Sequence, residues 1–233
     1  MRVACLVSGG KDSMLALHKA SESHEVVCLV SIFSKNPDSY MFHTANISMT
    51  DAIAQCLEIP IFKIWVSGEE EKEVNELGDQ LSALGIDGIV IGGIRSEYQR
   101  KRFQKVADRL GIKMIAPLWN MDEIKIMEEV SRKFNAIIVK VSAMGLDESF
   151  LGKRIDGGLV ERLLKVKERY GINIAGEGGE FETLVLDAPL YRRSIEPVEW
   201  RIKRDSLTSQ LEICGFRFTE KQNLSSEKSA SKF

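Results

Sequence analysis

The feature that most constrains the fold is a regular alternation of short apolar runs and amphipathic helical patterns through the first half of the chain. The apolar runs are typical of buried parallel strands, and the patterns between them repeat apolar residues at helical spacing. The runs are Ala4 to Val7, Glu25 to Phe33, Ile61 to Val66, Ile86 to Ile91 and Lys113 to Ala116. Five such units predict a doubly wound parallel sheet with helices on both faces, a Rossmann-like α/β fold.

The pattern changes after Pro117, where strand and helix candidates no longer alternate regularly. The segments Val198 to Arg204 and Gln210 to Phe218 have the alternating character of antiparallel strands. We therefore expect a smaller α+β domain after the first. The predicted division is a first domain at 1–118, a second at 119–218, and a polar, disordered tail at 219–233.

Several local patterns predict where helices begin and end. The pairs Ser96…Gln99 and Asn120…Glu123 have the spacing of a capping box, in which the first side chain caps a helix and the second caps in return. Glycine just past the end of a helix can adopt the left-handed backbone conformation that is common there without steric strain. We expect such an ending, followed by an isoleucine and a strand, at Gly85, Gly111 and Gly171.

Composition narrows the class of protein. A formal net charge of −2 over 233 residues argues against binding of nucleic acid by bulk electrostatics. The four cysteines are scattered, so neither a disulfide framework nor a zinc site is indicated. The sequence contains no candidate membrane span and no recognisable signal peptide. We expect a reduced, cytoplasmic enzyme or binding protein.

The stretch S-G-G-K-D-S, residues 8–13, links the first predicted strand to the first predicted helix. It is not a Walker P-loop, because that pattern requires glycine where Cys5 stands and Ser or Thr where Asp12 stands. Glycines and a helix N-terminus at the end of a parallel strand nevertheless suit a phosphate. Backbone N–H groups, the hydroxyls of Ser8 and Ser13 and a flexible Lys11 would bind it. Asp12 would hold magnesium or cap the helix.

Two further stretches carry candidate site residues. In G-G-I-R-S-E-Y-Q-R-K-R, residues 92–102, two glycines follow a strand and would allow close approach of a nucleotide, although the basic residues also suit a solvated helix face. In G-E-G-G-E-F-E-T, residues 176–183, three glutamates lie among three glycines. Carboxylates this dense repel one another unless a cation or a donor lies among them. No histidine accompanies them, which argues against a transition metal.

The first stretch resembles the pyrophosphate-binding loop of the N-type ATP pyrophosphatases, in the adenine nucleotide alpha hydrolase superfamily. Taken together, the three stretches resemble the diphthine–ammonia ligase (diphthamide synthase) family, over roughly residues 1 to 218. The resemblance implies ATP-dependent amidation of diphthine on elongation factor 2 by ammonia, with Mg²⁺, AMP and pyrophosphate. It also implies a first domain that binds ATP and a second that binds the protein substrate.

The predicted roles are assigned as follows. Nucleotide contacts are expected from Ser8, Gly9, Gly10, Lys11, Asp12, Ser13, Ser31, Gly92, Gly93, Arg95 and Arg100. Substrate contacts are expected from Tyr98, Gln99, Glu177, Gly178, Gly179, Glu180, Glu182 and Thr183. Catalytic roles are expected for Lys11, Asp12, Glu180 and Glu182, with Asp12 as the metal ligand. The glutamates would form an electrostatic seat for the quaternary ammonium group of diphthine.

Two other functions remain open at this point. A tRNA-modifying enzyme of the same superfamily would share the first loop, although thiolating members commonly use catalytic cysteines. A nonenzymatic ATP-binding module would also need the first loop, but would leave the acidic stretch unexplained. We expect no membrane partner and no direct contact with nucleic acid, and the sequence leaves a monomer and a homo-oligomer equally open.

Overall fold

The computed structural model describes residues 1–34, 45–69 and 72–221. Its first sheet is entirely parallel, in the order β3-β2-β1-β4-β5. The strands are β1 (Arg2–Leu6), β2 (Glu25–Ser34), β3 (Ile61–Val66), β4 (Gly88–Val90) and β5 (Lys113–Ile115). The helices between them are α1 (Lys11–Ser21), α2 (Thr50–Leu57), α3 (Lys72–Leu81) and α4 (Glu97–Leu110). The predicted doubly wound α/β fold is confirmed.

A second, antiparallel sheet follows, in the order β7-β6-β9-β8. Its strands are β6 (Asn135–Val141), β7 (Phe181–Asp187), β8 (Arg193–Arg204) and β9 (Ser209–Glu220). Two helices, α5 (Glu123–Lys133) and α6 (Gly157–Tyr170), complete this smaller α+β part. The predicted boundary falls in a turn over residues 117–120, between β5 and α5, and the division at residue 118 stays a prediction.

The strand order creates a switch point in the first sheet. The chain runs from β1 outward through β2 and β3, and then returns to place β4 on the other side of β1. In open parallel sheets, ligands bind beyond the carboxyl ends of the strands at such a point. The loop at residues 8–13 follows β1, and the loop at residues 91–96 follows β4. The fold therefore brings two of the three predicted stretches to one crevice.

Two apolar cores cover the two faces of the parallel sheet. On one face, α3 and α4 pack over β-strand residues such as Leu6, Val30 and Ile91. On the other face, α1 and α2 form a core that continues into the second sheet, where it includes Ile138 and Leu184. Because this second core is shared, the two sheets form one packed body around α1.

Two of the local predictions are wrong. Helix α5 is capped by Asp122, which accepts from the N–H groups of Ile124 and Lys125, whereas Asn120 lies in a left-handed turn. Gly171 ends α6 as expected, but the residues after it form a loop and not a strand. The caps at Gly85 and Gly111 are left-handed as predicted.

The polar tail also begins later than expected. Residues 219 and 220 belong to β9, where Thr219 pairs with Ser194 and Glu220 with Arg193. Lys221 donates to the carbonyls of Ala188 and Pro189, which holds the end of β9 in place. The rest of the predicted tail lies outside the described residues, as does Lys35 beyond β2. Among the described helices, none is long and apolar enough to cross a membrane.

Candidate active site

A cavity of about 360 Å³ lies at the switch point, between the loops that follow β1 and β4. Residues 176–183, from the second part of the chain, form its remaining wall. The predicted site residues that line it are Ser8, Gly10, Lys11, Asp12, Ser13, Gly92, Gly93, Gln99, Glu177, Gly178, Gly179, Glu182 and Thr183. Three stretches that are far apart in sequence therefore meet at one cavity.

The loop at residues 8–13 is held together by its own hydroxyl groups. The Ser13 hydroxyl donates to the carbonyl of Gly10 at 3.0 Å and accepts from the N–H of Ser8 at 3.2 Å. Helix α1 begins after Gly10, which caps it without a side-chain acceptor. The cavity therefore meets a glycine-rich helix N-terminus, an arrangement that favours anions.

Gly9 is not among the residues that line the cavity, and its predicted contact with a phosphate stays a prediction. Its backbone has a φ of 85°, and a Cβ there would lie 3.0 Å from Ile53 Cδ1 and 3.2 Å from Leu184 Cδ1. Its carbonyl accepts from the N–H of Val185 in β7 at 2.9 Å. Glycine is therefore required here for packing of the loop against the second sheet.

Lys11 is not the flexible surface cation that the sequence suggested. Its side chain is only 2% exposed, and its ammonium group binds both carboxylate oxygens of Asp12, at 2.9 and 2.7 Å, and the carbonyl of Ala175. The ammonium also lies 5.7 Å from the centre of the Phe181 ring. The loop at residues 173–175 thus fixes Lys11 at the cavity wall. Asp12 forms no helix cap, which leaves metal binding as its predicted role.

Strand β7 supports the same loop through Thr183. The hydroxyl oxygen of Thr183 accepts from the backbone N–H of Lys11 at 3.0 Å, in a buried position. Its carbonyl would lie 3.3 Å from a Cβ at Gly10. Thr183, which the sequence assigned to the substrate, therefore also shapes the glycine-rich loop.

Glu177 connects the acidic stretch to α4. One oxygen of its carboxylate accepts from three successive backbone N–H groups, those of Ile94 at 3.3 Å, Arg95 at 2.9 Å and Ser96 at 3.1 Å. Ser96 caps α4 by accepting from the N–H of Gln99, so half of the predicted capping box is present. The other half is absent, because Glu177 and not Gln99 accepts from the Ser96 N–H.

The other two glutamates point in different directions. Glu180 Oε1 accepts from the N–H of Asn173 at 2.8 Å and so supports the loop that binds Lys11. Glu182 accepts from the ammonium of Lys140 at 2.9 Å and from the N–H of Ala45 at 2.6 Å. Each carboxylate has a donor from a different part of the chain, and a shared site for the ammonium group stays a prediction. Within the described ranges, no cluster of three His, Cys, Asp or Glu residues could hold a metal.

Several predicted nucleotide and substrate residues lie outside the cavity wall; they are Gly9, Ser31, Arg95, Tyr98, Arg100 and Glu180. Ser31 is fully buried and accepts from the hydroxyl of Thr50 at 3.1 Å. The Arg100 guanidinium lies 4.5 Å from the centre of the Trp119 ring, and the Tyr98 ring lies under Arg102. The fold does not place these residues in the cavity wall, and their contacts with a ligand stay predictions.

Sequence reasoning missed residues that support the site from a distance. Ala175 and Asn173 lie in a loop without a motif, and Lys140 is the one charged residue of a mostly apolar strand. The cavity also has apolar lining residues, among them Phe103 and Phe181, that were not among the predicted site residues. The charged Lys140 within the apolar pattern of β6 is the one feature of the sequence that could have indicated a partner for the acidic stretch.

Three of the four cysteines lie in the interior of the protein, and Cys214 is exposed. Cys5, Cys28 and Cys56 are buried. Burial raises the pKa of the Cys5 thiol to about 12 and that of Cys56 to about 11, so both stay protonated at neutral pH. A buried, protonated thiol behaves as a small apolar side chain.

The doubly wound sheet and the cavity at its switch point place the chain in the class of open α/β proteins with a ligand crevice between two βα loops. The family model of the diphthamide synthase N-terminal domain matches residues 1–114, and that of the diphthamide synthase C-terminal domain matches residues 122–215. The chain belongs to the diphthamide synthase family, which confirms the resemblance seen in its motifs.

Similar proteins agree with this membership. Proteins named diphthine–ammonia ligase from Rattus norvegicus and Homo sapiens are 34% and 33% identical to it, and each match covers 84% of this chain and 82% of the relative. One from Schizosaccharomyces pombe is 33% identical and much longer, since the match covers 36% of it. A solved structure of a predicted subunit of tRNA methyltransferase from Methanocaldococcus jannaschii has a TM-score of 0.45 at 19% identity, covering 81% of this chain and 97% of that one. A structural similarity this weak supports no statement about the function of this chain.

Proposed function

We propose that this protein is an ATP-dependent diphthine–ammonia ligase, which converts the carboxylate of diphthine on elongation factor 2 into an amide. The observation that carries the proposal is that the three stretches of the resemblance, the glycine-rich loop, residues 92–102 and the acidic stretch, all contribute residues to the wall of one cavity. The reaction is proposed from the names of the relatives, and we propose the cavity as the place where it occurs.

The shape and chemistry of the cavity suit ATP. Its polar end, with Ser8, Gly10 and Ser13 at the N-terminus of α1, would take the phosphates. Its apolar end, formed by residues such as Leu6, Ile32 and Phe103, would take the base. Lys11 would stabilise negative charge on the phosphates, in a position fixed by Asp12 and Ala175.

The oxygen donors at this loop also fit Mg²⁺. That ion is usually bound through one or two carboxylates together with the phosphates of the substrate. Asp12 would provide the carboxylate, and the hydroxyls of Ser8 and Ser13 lie on the same loop. When bound, the ion would neutralise phosphate charge.

The reaction would proceed in two steps. A carboxylate oxygen of diphthine attacks the α-phosphorus of ATP, and the bond to the β-phosphate breaks, which releases pyrophosphate and leaves an acyl-adenylate. The nitrogen of ammonia then attacks the carbonyl carbon, the bond to the AMP oxygen breaks, and the nitrogen loses a proton. The protein would contribute mainly orientation and electrostatic stabilisation.

The partner would be elongation factor 2 carrying diphthine, and the setting would be the cytoplasm. The cavity is open to the surface between the two parts of the chain, so a modified side chain of a folded protein would reach the phosphates from there. The rival assignment to a tRNA-modifying enzyme is not favoured, because the curated relatives are named diphthine–ammonia ligase.

The test is reconstitution with purified components. The protein is incubated with ATP, Mg²⁺, ammonium and elongation factor 2 that carries diphthine, and the intact mass of the factor and the nucleotide products are measured. We expect amidated factor and AMP in equal amounts, both dependent on ammonium. Release of ADP, or AMP formed without amidation, would contradict the proposal.

A further inference from the structure

One residue of the cavity has a setting that its place in the sequence does not explain. Gln99 occupies the capping-box position of α4, where its side chain would normally accept from the N–H of Ser96. Glu177 accepts from that N–H instead, at 3.1 Å. Gln99 lines the cavity, and its carboxamide oxygen would lie 4.0 Å from a Cβ at Gly93, which also lines it. The standard structural partner of this side chain is thus taken by a residue 78 positions later in the chain.

The surroundings of Gln99 are those of a site for a flat, apolar group with polar edges. Phe103 lies one helical turn further along α4 and also lines the cavity. Leu6, Ile32 and Ile91, from the carboxyl ends of three parallel strands, form the apolar wall on the same face of the sheet. The carboxamide of Gln99 is therefore a polar group at the edge of an apolar recess.

The two glycines beside it give an independent indication. A Cβ at Gly92 would lie 2.7 Å from the backbone nitrogen of Ser13, so the packing of the protein itself requires glycine there. A Cβ at Gly93 would meet only Gln99 Oε1 and Ile91 Cδ1, both at 4.0 Å. The protein leaves space at Gly93, next to the carboxamide, that its own packing does not need.

We propose that Gln99 selects the base of the nucleotide, by pairing with the edge of adenine. The carboxamide oxygen accepts from the N6 amino group, and the carboxamide nitrogen donates to N7, the pairing that Gln makes with adenine elsewhere. Guanine presents two acceptors at the same edge, so it loses one of the two bonds. The proposal rests on the proposed function only in taking ATP as the nucleotide of the cavity.

The test measures binding of ATP, GTP and purine riboside triphosphate, which lacks the N6 amino group, by titration calorimetry. The variants are Gln99→Leu and Gln99→Met, with Gln104→Leu as the matched control, because Gln104 lies on the exposed face of the same helix and bonds Asp108. We expect the parent and the control to prefer ATP over purine riboside triphosphate by on the order of tenfold. Both Gln99 variants should bind the two nucleotides with nearly equal affinity.

The inference is overturned if either Gln99 variant keeps the preference of the parent, or if the parent shows none. The comparison of ATP with purine riboside triphosphate in the parent protein needs no variant, so the proposal can be tested even if a variant folds poorly. A parent that prefers ATP but does not amidate the factor would contradict the proposed function and leave the role of Gln99 intact. A parent that amidates equally well with purine riboside triphosphate would overturn the role of Gln99 alone.

Discussion

At the residue scale, Lys11 is the clearest case of a side chain whose chemistry depends on contacts from elsewhere in the chain. An isolated lysine on a glycine-rich loop would sample many conformations, which costs entropy when it meets a phosphate. Here Asp12 and the carbonyl of Ala175 hold the ammonium at the cavity wall. The charge is thus preorganised at the wall of the cavity.

We predict that Lys11→Met lowers kcat/KM for ATP by roughly tenfold to a hundredfold, because one charge-assisted contact in the transition state is worth about 1.5–3 kcal/mol. The measurement is AMP release at varied ATP. Lys19→Met is the matched control, since Lys19 lies on the same helix but pairs with Glu129 away from the cavity. Equal loss in both variants, or no loss in Lys11→Met, would contradict the role of Lys11.

Thr183 offers a second test at this scale. Replacement by valine keeps the shape but leaves the buried N–H of Lys11 without its acceptor, which costs about 1–3 kcal/mol of unfolding free energy. Thr183→Ser keeps the hydroxyl and should lose less. Urea denaturation measures both, with Thr208→Val, at an exposed turn, as the control for loss of a threonine hydroxyl. A Thr183→Val variant as stable as the parent would show that the bond does not hold the loop.

At the element scale, the N-terminus of α4 shows why a local pattern predicts only part of a site. The Ser96 cap depends on neighbours in sequence, and it is present as predicted. The partner of the Ser96 N–H lies 81 residues away in Glu177, which no local spacing could reveal. Local patterns are limited in the same way for the acidic stretch. The high density of glutamates was visible in the sequence, but the hydrogen-bond donors of Glu177, Glu180 and Glu182 come from three different parts of the chain.

We predict that Glu177→Ala lowers the unfolding free energy by about 1.5–3 kcal/mol, because three N–H groups at a helix N-terminus lose a charged acceptor. Glu177→Gln, which keeps an acceptor oxygen, should cost less. The control is Glu97→Ala in the first turn of the same helix, whose exposed pair with Arg100 is expected to contribute less than about 1 kcal/mol. Equal effects of Glu177→Ala and Glu97→Ala in urea denaturation would contradict the role given to Glu177.

At the scale of the whole molecule, the parallel sheet was predictable because each of its strands is a nearly continuous apolar run between helical patterns. The way the second sheet packs against α1 was not. It depends on pairs such as Gly9 with Val185 and His18 with Leu190, which are joined only in the fold. The cavity therefore depends on contacts that sequence periodicity does not record.

His18 gives a prediction about this packing. Burial lowers its pKa from 6.5 to about 4, although the hydrogen bond to the Met14 carbonyl favours the charged form. Since the unfolded chain binds a proton more tightly than the folded one, the unfolding free energy should fall as the pH drops from about 6.5 to about 4. The total from this group is on the order of 3 kcal/mol. Urea denaturation across this range should show a flatter profile for His18→Gln, and identical slopes in both proteins would contradict the assignment.

The most direct test of the central claim follows an oxygen atom. Elongation factor 2 is prepared with ¹⁸O in the diphthine carboxylate and incubated with the protein, ATP, Mg²⁺ and ammonium, and the AMP is analysed by mass spectrometry. Because the carboxylate attacks the α-phosphorus and that oxygen leaves with AMP, the account predicts labelled AMP in proportion to the amide formed. Unlabelled AMP beside amidated factor, or label in orthophosphate, would contradict an acyl-adenylate and with it the proposed reaction.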